Sequence, residues 1–281
     1  MEYFELNDGN KMPVIGIGTF MLTPAQAEES TFNALKAGYR LIDTANAYVN
    51  EKAVGRGMKK SGVAREDIFL TTKLWPTVYE NENAIDKTLE RLDTDYIDLL
   101  LLHQPAGNYI NAYKMMEKAV KEGKVKSIGL SNFDTNQIQE IIDMCEIKPA
   151  ILQVEAHPYY TEEELKAFVK PYGVRLMAWY PLGHGDASLI NEEVFAKLGE
   201  KYGKSPVQII LRWHVQMGHV VIPGATLEEH IKANIEILDF ELTSEDMAEI
   251  AKVNKNKRYY EPNPEIIASY AQMAPDMDGQ E

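Results

Sequence analysis

Asp43, Tyr48, Lys73 and His103 are residues of this chain whose types could do acid–base chemistry together. A tyrosine hydroxyl, with an ordinary pKa near 10, is a poor acid at neutral pH. An ammonium beside it favours the tyrosinate. At about 4 Å and an effective dielectric near 20 that interaction is on the order of 4 kcal/mol, enough to lower the pKa by roughly 3 before desolvation is subtracted. A carboxylate paired with the lysine would hold it charged and in place, and a histidine can orient an oxygen or relay a proton. Such a set suits protonation of a carbonyl oxygen during hydride transfer, which also requires a seat for a nicotinamide. Taken singly, each residue has a plainer reading: a loop tyrosine, a strand-end lysine, a rim histidine, an Asp-Thr turn or helix cap.

The elements that must position these groups are legible as an alternation. Short β-branched or leucine-rich runs occur at 15–18, 40–42, 68–72, 97–102, 125–130, 151–154, 174–178 and 220–222. Helix-period segments lie between them. Ile85, Thr88, Leu89 and Leu92, and again Ile138, Ile141, Ile142 and Cys145, follow the spacing of one buried helical stripe. Thr23-Pro24-Ala25-Gln26 and Ser205-Pro206-Val207-Gln208 each put a hydroxyl at the cap, proline at the first helical position and Gln three residues on. Thr161/Glu164 and Thr226/Glu229 repeat the capping-box spacing without the proline. Ahead of the alternation, Asn7-Asp8-Gly9-Asn10 between two short runs predicts a β-hairpin.

Eight βα units close into a barrel or spread into an open doubly wound sheet. Two observations favour the barrel. An open dinucleotide-binding sheet wants G-x-G-x-x-G after its first strand, and Gly16-Ile17-Gly18-Thr19-Phe20-Met21 lacks the third glycine. Moreover Asp43, Lys73, His103, Ser131-Asn132 and Gln153 all stand at or just beyond the ends of apolar runs, which in a barrel is the C-terminal rim where chemistry is placed. The expectation is an α/β (β/α)8 TIM barrel with an N-terminal β-hairpin, one domain over 1–281, whose polar last stretch, 268–281, frays.

Composition excludes several function classes. A formal net charge of −14 repels phosphate backbones, so no nucleic-acid partner is expected. The lone Cys145 rules out an internal disulfide and suits a reducing compartment. The start, Met1-Glu2-Tyr3-Phe4-Glu5, has no basic or apolar signal region, and no run approaches the ~18 apolar residues of a membrane span. The six histidines show neither H-x-H nor H-E-x-x-H spacing, so no metal is expected. A cytoplasmic monomer with no membrane partner is the resulting reading.

The motifs also carry a resemblance. Gly38-Tyr39-Arg40-Leu41-Ile42-Asp43-Thr44-Ala45, then Tyr48 and Asn50-Glu51, is similar to the second-strand signature of the aldo-keto reductases. Thr72-Lys73-Leu74-Trp75, Leu101-Leu102-His103, Ile128-Gly129-Leu130-Ser131-Asn132-Phe133, Gln153-Val154-Glu155, Pro181-Leu182-Gly183 and Ile222-Pro223 follow in that family's order. The chain looks like bacterial members of the 2,5-diketo-gluconate reductase-like branch, from the hairpin to about Leu242. The resemblance implies NADP(H)-dependent reduction of a small-molecule aldehyde or ketone, with Asp43, Tyr48, Lys73 and His103 as tetrad and Tyr48 as general acid. It implies cofactor contacts from Gly18, Thr19, Asp43, Ser131, Asn132, Gln153, Trp179, Leu182, Gly183, Gly224, His230 and Asn234. Within that set Ser131, Asn132 and Gln153 would hold the carboxamide, and Trp179 would offer its indole face to the nicotinamide. Phe20, Tyr48, Trp75, His103 and Gln104 would line the substrate pocket. The alternative is a cofactor-binding barrel protein without catalysis.

Departures from the family pattern concern cofactor and substrate. Many members read Ile-Pro-Lys-Ser, followed by an Arg, around the adenosine 2′-phosphate. Here the chain reads Ile222-Pro223-Gly224-Ala225, with His230 in the arginine's place. A neutral imidazole does not replace a guanidinium fork, so NAD(H) use becomes plausible, with Lys232 as a candidate compensating cation. After the catalytic histidine, Gln104 stands where a Trp is frequent. This makes that edge of the pocket smaller and more polar, and small or polar carbonyl compounds are expected to give higher kcat/KM than bulky apolar ketones. A panel in which bulky hydrophobic ketones came out best would reject that reading of Gln104.

Overall fold

The computed structural model describes residues 1–280. β1 (Tyr3–Glu5) and β2 (Lys11–Pro13) form the expected antiparallel hairpin, pairing Tyr3 with Pro13 and Glu5 with Lys11. Eight further strands follow: β3 (Ile17–Gly18), β4 (Leu41–Asp43), β5 (Phe69–Leu74), β6 (Ile97–Leu102), β7 (Val125–Ser131), β8 (Ile151–Glu155), β9 (Arg175–Trp179) and β10 (Val220–Val221). All eight are parallel and neighbour one another in chain order. Backbone bonds then join the two ends of the sheet: Gly16 N donates to Val221 O at 2.9 Å and Gly18 N to Pro223 O at 3.2 Å. The sheet is thereby closed on itself as a (β/α)8 barrel, in agreement with the alternation read in the sequence.

Strands buried on both faces explain the continuous apolar runs. In β6, Leu99 and Leu101 point into the barrel with Leu41, Phe69, Ile151, Met177 and Val220. Their neighbours Leu100 and Leu102 point outward against helix residues such as Tyr113, Met116, Ile138 and Ile141. The hairpin plugs the N-terminal end of the barrel, where Leu6 and Met12 join the interior cluster. The Asn7 amide fastens it by donating to Pro149 O at 2.8 Å. With that end plugged, the larger cavity lies at the C-terminal end.

The proline-containing capping boxes form as expected at helices Pro24–Lys36 and Pro206–Gln216. The other two do not. Helix Glu163–Val169 is preceded by Glu162 in left-handed geometry, and the Thr161 hydroxyl instead accepts from Asn254 Nδ2 at 3.1 Å. Helix Glu228–Ile235 has Leu227, not Thr226, at its cap position. Spacing alone does not distinguish a capping hydroxyl from one engaged by a distant part of the chain.

The C-terminal stretch expected to fray is described up to Gln280; Glu281 lies outside the described residues. Helix Pro264–Tyr270 leads into a segment that returns along the barrel mouth. There Trp75 Nε1 donates to Met273 O at 2.7 Å, Asp278 pairs with Lys87 at 2.7 Å and Arg91 at 3.1 Å, and Lys52 Nζ donates to Gln280 O at 2.9 Å. Met277 and Gln280 are buried. These anchors are charges and carbonyls without periodicity, which explains why the pattern did not show them. Among the described residues no helix is long and apolar enough to cross a membrane.

Gly129 in β7 marks a tight point of strand packing near the rim. A Cβ there would collide with the Ile151 carbonyl oxygen and lie 2.8 Å from Leu101 Cδ2. Neither a strand carbonyl nor an interior leucine has space to retreat. Gly129→Ala is expected to cost about 1–3 kcal/mol in urea unfolding. A variant as stable as the parent would show that β7 and β8 can separate locally.

Candidate active site

Parallel register brings the rim residues to one level. Gly18 pairs with Asp43, Asp43 with Thr71, Lys73 with Leu101, Ser131 with Gln153 and Glu155 with Trp179. His103 follows β6 directly, with its backbone N donating to Leu74 O at 3.0 Å. Tyr48 comes from the 3-10 turn Asn46–Tyr48, which Val49 ends in left-handed geometry (φ 57°). The turn is fixed from both sides: Asn46 Oδ1 accepts from Trp75 N at 3.0 Å, and Asn50 receives the Thr44 hydroxyl at 3.0 Å while donating to Thr19 O at 3.0 Å.

Lys73 is fully buried. Its Nζ donates to Asp43 Oδ1 at 2.7 Å, Thr44 O at 2.8 Å and Tyr48 OH at 3.3 Å, so all three ammonium hydrogens are placed. The other Asp43 oxygen accepts from Gln153 Nε2 at 2.8 Å. His103 stands edge-on between two rings, 5.5 Å from that of Tyr48 and 5.1 Å from that of Trp75. Its Nδ1 is buried without a partner among the described residues.

Burial dominates the titration of this cluster. It raises Asp43 above the ordinary carboxylate value, against the opposing pull of Lys73 and Gln153. It favours the neutral amine of Lys73, but the Asp43 and Tyr48 oxygens outweigh it and that pKa stands above its usual value. His103 is held well below its ordinary value by burial and by the nearby ammonium, so it is neutral at pH 7. Tyr48 corrects the expectation drawn from charge alone: burial raises its hydroxyl, and the ammonium only partly offsets the rise.

Above this cluster opens a cavity of about 630 Å³. Tyr48, Asp43 and His103 face it, while Lys73 lies behind them. Of the expected cofactor residues, Gly18, Asp43, Ser131, Asn132, Gln153, Trp179, Leu182 and Gly224 line it; Thr19, Gly183, His230 and Asn234 do not. Thr19 is buried, with its hydroxyl directed to Asp43 O at 3.3 Å, whereas the His230 side chain is 63% exposed. All five expected substrate residues, Phe20, Tyr48, Trp75, His103 and Gln104, line the cavity. Sequence reasoning missed Tyr180, His184, Tyr270, Met273 and Pro275, which complete its walls. Tyr180 and His184 flank the quoted Pro-Leu-Gly motif, but the last three sit in the tail without any local signal.

The donor set suits a flat carboxamide-bearing ring. Asn132, in left-handed geometry (φ 65°) that asparagine tolerates, accepts the Trp179 indole N–H at 3.0 Å and donates to Ser131 Oγ and His103 O, each at 3.2 Å. The indole is thus oriented beside a hydroxyl and two amides that offer both donors and acceptors. Near Gly224 the backbone is open: a Cβ there would meet only Gly18 O, at 3.7 Å. Lys232, the candidate compensating cation, pairs with Glu228 at 2.5 Å, and His230 stands 4.0 Å from Glu229. Among the described residues no group of three or more His, Cys, Asp or Glu could hold a metal ion.

Comparisons with known proteins agree in kind. A model of the Aldo/keto reductase family matches residues 14–255. The chain is 44% identical over 268 residues to the glyoxal reductase of Bacillus subtilis, covering 94% of this chain and 96% of that one. It is 39% identical to the methylglyoxal reductase DkgA of Escherichia coli K12, covering 90% and 94%. Its structure superimposes with a TM-score of 0.87, at 33% identity, on a Bombyx mori aldo-keto reductase crystallised in complex with NADP, covering 92% and 95%.

The balance at Tyr48 is measurable. The difference between near-ultraviolet pH titrations of the parent and Tyr48→Phe isolates the tyrosinate signal of this one residue. That signal is expected only above the ordinary value of 10. A component rising near neutrality would mean that the ammonium, not burial, sets this hydroxyl.

Proposed function

Because this chain belongs to the aldo/keto reductase family, whose NAD(P)H-dependent oxidoreductases reduce carbonyl compounds, we propose that it reduces small aldehydes and ketones with Tyr48 as the general acid. The observation that carries this reading is the Lys73 ammonium, which bridges Asp43 and the Tyr48 hydroxyl from a fully buried seat beneath the cavity. Glyoxal-like dicarbonyls are the proposed substrate class. The relatives' names point that way, and so does the polar edge that Gln104 gives the cavity.

The nicotinamide, when bound, supplies the hydride that goes to the carbonyl carbon. Ser131, Asn132 and Gln153 would hold its carboxamide, and Trp179 would give the ring a broad apolar face. Tyr48 binds the carbonyl oxygen and releases its proton to it as negative charge develops there. A hydroxyl raised by burial is fully protonated at neutral pH, so the acid is loaded. Lys73 acts on the tyrosinate that forms, by Coulomb attraction in a dry setting that needs no reorganisation. Asp43 keeps that lysine charged and in place. With Nδ1 buried, the neutral His103 presents Nε2–H to the same carbonyl oxygen and fixes which lone pair receives the proton. In alcohol oxidation the same groups run in reverse.

The Bombyx mori neighbour's bound NADP supports NADP(H) as cofactor. NADH use is proposed beside it, because the exposed His230 and the Lys232–Glu228 pair leave no fixed guanidinium at the position expected for the 2′-phosphate. All four tetrad residues come from one chain, which fits the proposed monomer, and the single cysteine fits a cytoplasmic setting.

Initial rates with glyoxal or methylglyoxal test this reading. NADH is expected to give kcat/KM within about tenfold of NADPH, a difference below roughly 1.4 kcal/mol. Tyr48→Phe is expected to lower kcat by about 10²–10⁴-fold, with dinucleotide affinity, read by tryptophan quenching, little changed. Turnover with NADPH alone would reject the cofactor argument but keep the enzyme. Dinucleotide binding without turnover by the parent would reject the reductase reading.

A further inference from the structure

Glu155 ends β8 two residues beyond Gln153, and strand alternation therefore turns both toward the barrel mouth. In the motif Gln153-Val154-Glu155 the glutamate has the more demanding environment. Its side chain is fully buried, and within 4 Å its one ion-pair partner among the described residues is His157, at 2.9 Å. Among the described residues no lysine or arginine nitrogen lies within 4 Å of it. It is solvated by N–H groups: Oε1 accepts from Tyr259 N at 2.7 Å and Oε2 from Tyr260 N at 3.0 Å. Charge-assisted bonds of this kind are about twice as strong as neutral ones, and leaving such a carboxylate unpaired in the interior is costly. Between helix Ser244–Ala251 and helix Pro264–Tyr270 the chain has no regular structure. The carboxylate therefore does for this segment what a sheet ladder does for a strand.

The two tyrosines held in this way diverge. The Tyr259 hydroxyl donates to Asp186 Oδ2 at 2.6 Å, and its ring abuts Gly183, where an added Cβ would lie 3.1 Å from Cε2. Tyr259 therefore braces the loop after β9, together with Lys257, whose Nζ donates to the same Asp186 oxygen at 3.0 Å. That loop bends sharply, with positive φ at Tyr180, Gly183, His184 and Gly185, a conformation that its non-glycine residues hold only under outside support. Tyr260 turns the other way, 5.7 Å from the Trp179 ring, with its hydroxyl 2.8 Å from that of Tyr270. Both the 180–186 loop and the Tyr260–Tyr270 pair line the cavity.

We propose that Glu155 is a positioning residue that sets two walls of the cavity together, by clamping consecutive amides so that Tyr259 braces the 180–186 loop while Tyr260 packs on Trp179. Dinucleotide and carbonyl substrate then bind between walls that share one anchor. Only the assignment of roles to the two walls rests on the reductase reading; the mechanical coupling does not.

Hydrogen exchange on the full chain separates the two. In Glu155→Gln, which keeps the shape but loses the second acceptor and the charge, peptides covering 257–262 and 181–187 are both expected to exchange at least about tenfold faster, with β4 to β7 unchanged. In Tyr259→Phe, which deletes only the hydroxyl bonded to Asp186, the 181–187 peptide alone is expected to speed up. NADPH Kd should rise in both variants, and KM for methylglyoxal only in Glu155→Gln. Faster exchange of 257–262 without 181–187 in Glu155→Gln, or acceleration throughout the barrel, overturns the proposal. If Glu155→Gln does not fold, Tyr259→Phe decides: unchanged exchange at 181–187 overturns the bracing. Absence of turnover in the parent would fell the reductase reading and leave the exchange result standing.

Discussion

Lys73 carries an ammonium into the interior of the barrel, where no water reaches it, and the groups around it are those that such a charge demands. An uncompensated buried cation costs several kcal/mol, so each of its three hydrogens needs an oxygen at the right place. Asp43 supplies a carboxylate from the adjacent strand, Thr44 a carbonyl from the same strand end, and Tyr48 a hydroxyl from the turn beyond. Each partner is then fixed in turn: Asp43 by Gln153 from across the barrel, and the Tyr48 turn by Asn50 and by Trp75 N. Removing any one support leaves charge unpaired in a low dielectric. Stability and chemistry are therefore bound to one arrangement.

A second buried charge network lies just outside the barrel wall and ties the tail to it. Glu51 receives the Thr72 hydroxyl at 2.7 Å and Arg91 Nε at 2.7 Å, and the same guanidinium reaches Asp278. Thr72 precedes Lys73 on β5 and faces the opposite way. The strand that carries the central ammonium inward thus presents a hydroxyl outward to a chain of charges that ends in the segment over the cavity. Burial raises Glu51 above the ordinary carboxylate value, with Arg91 and Thr72 opposing. The rim is held from inside and from outside at the same strand.

The legible part of this architecture is the part governed by period and by short-range rules. All eight barrel strands sit within the apolar runs or a residue or two of them, because strands covered on both faces are apolar without interruption. Asp43, Lys73, His103, Ser131 and Gln153 were readable as rim residues, because parallel register puts strand ends level. Helix starts with proline behind the hydroxyl were readable too. What escaped was long-range. Thr161 met the capping rule but is engaged by Asn254, and Tyr270, Met273 and Pro275 reach the cavity through contacts that leave no periodic trace. Tyr48 shows a third kind of gap: the sign of its titration depends on how dry its seat is, and residue types alone do not specify dryness.

The seam that closes the barrel is made of its two shortest strands, β3 and β10, and joins residues near 16 to residues near 222. Gly18 and Gly224 face each other across it and both border the cavity. During synthesis the first strand must therefore wait for the last, and ring closure over some two hundred intervening residues carries the entropy of a very long loop. The wall of the cavity at Gly18 and Gly224 is therefore complete only once both strands of the seam are in place.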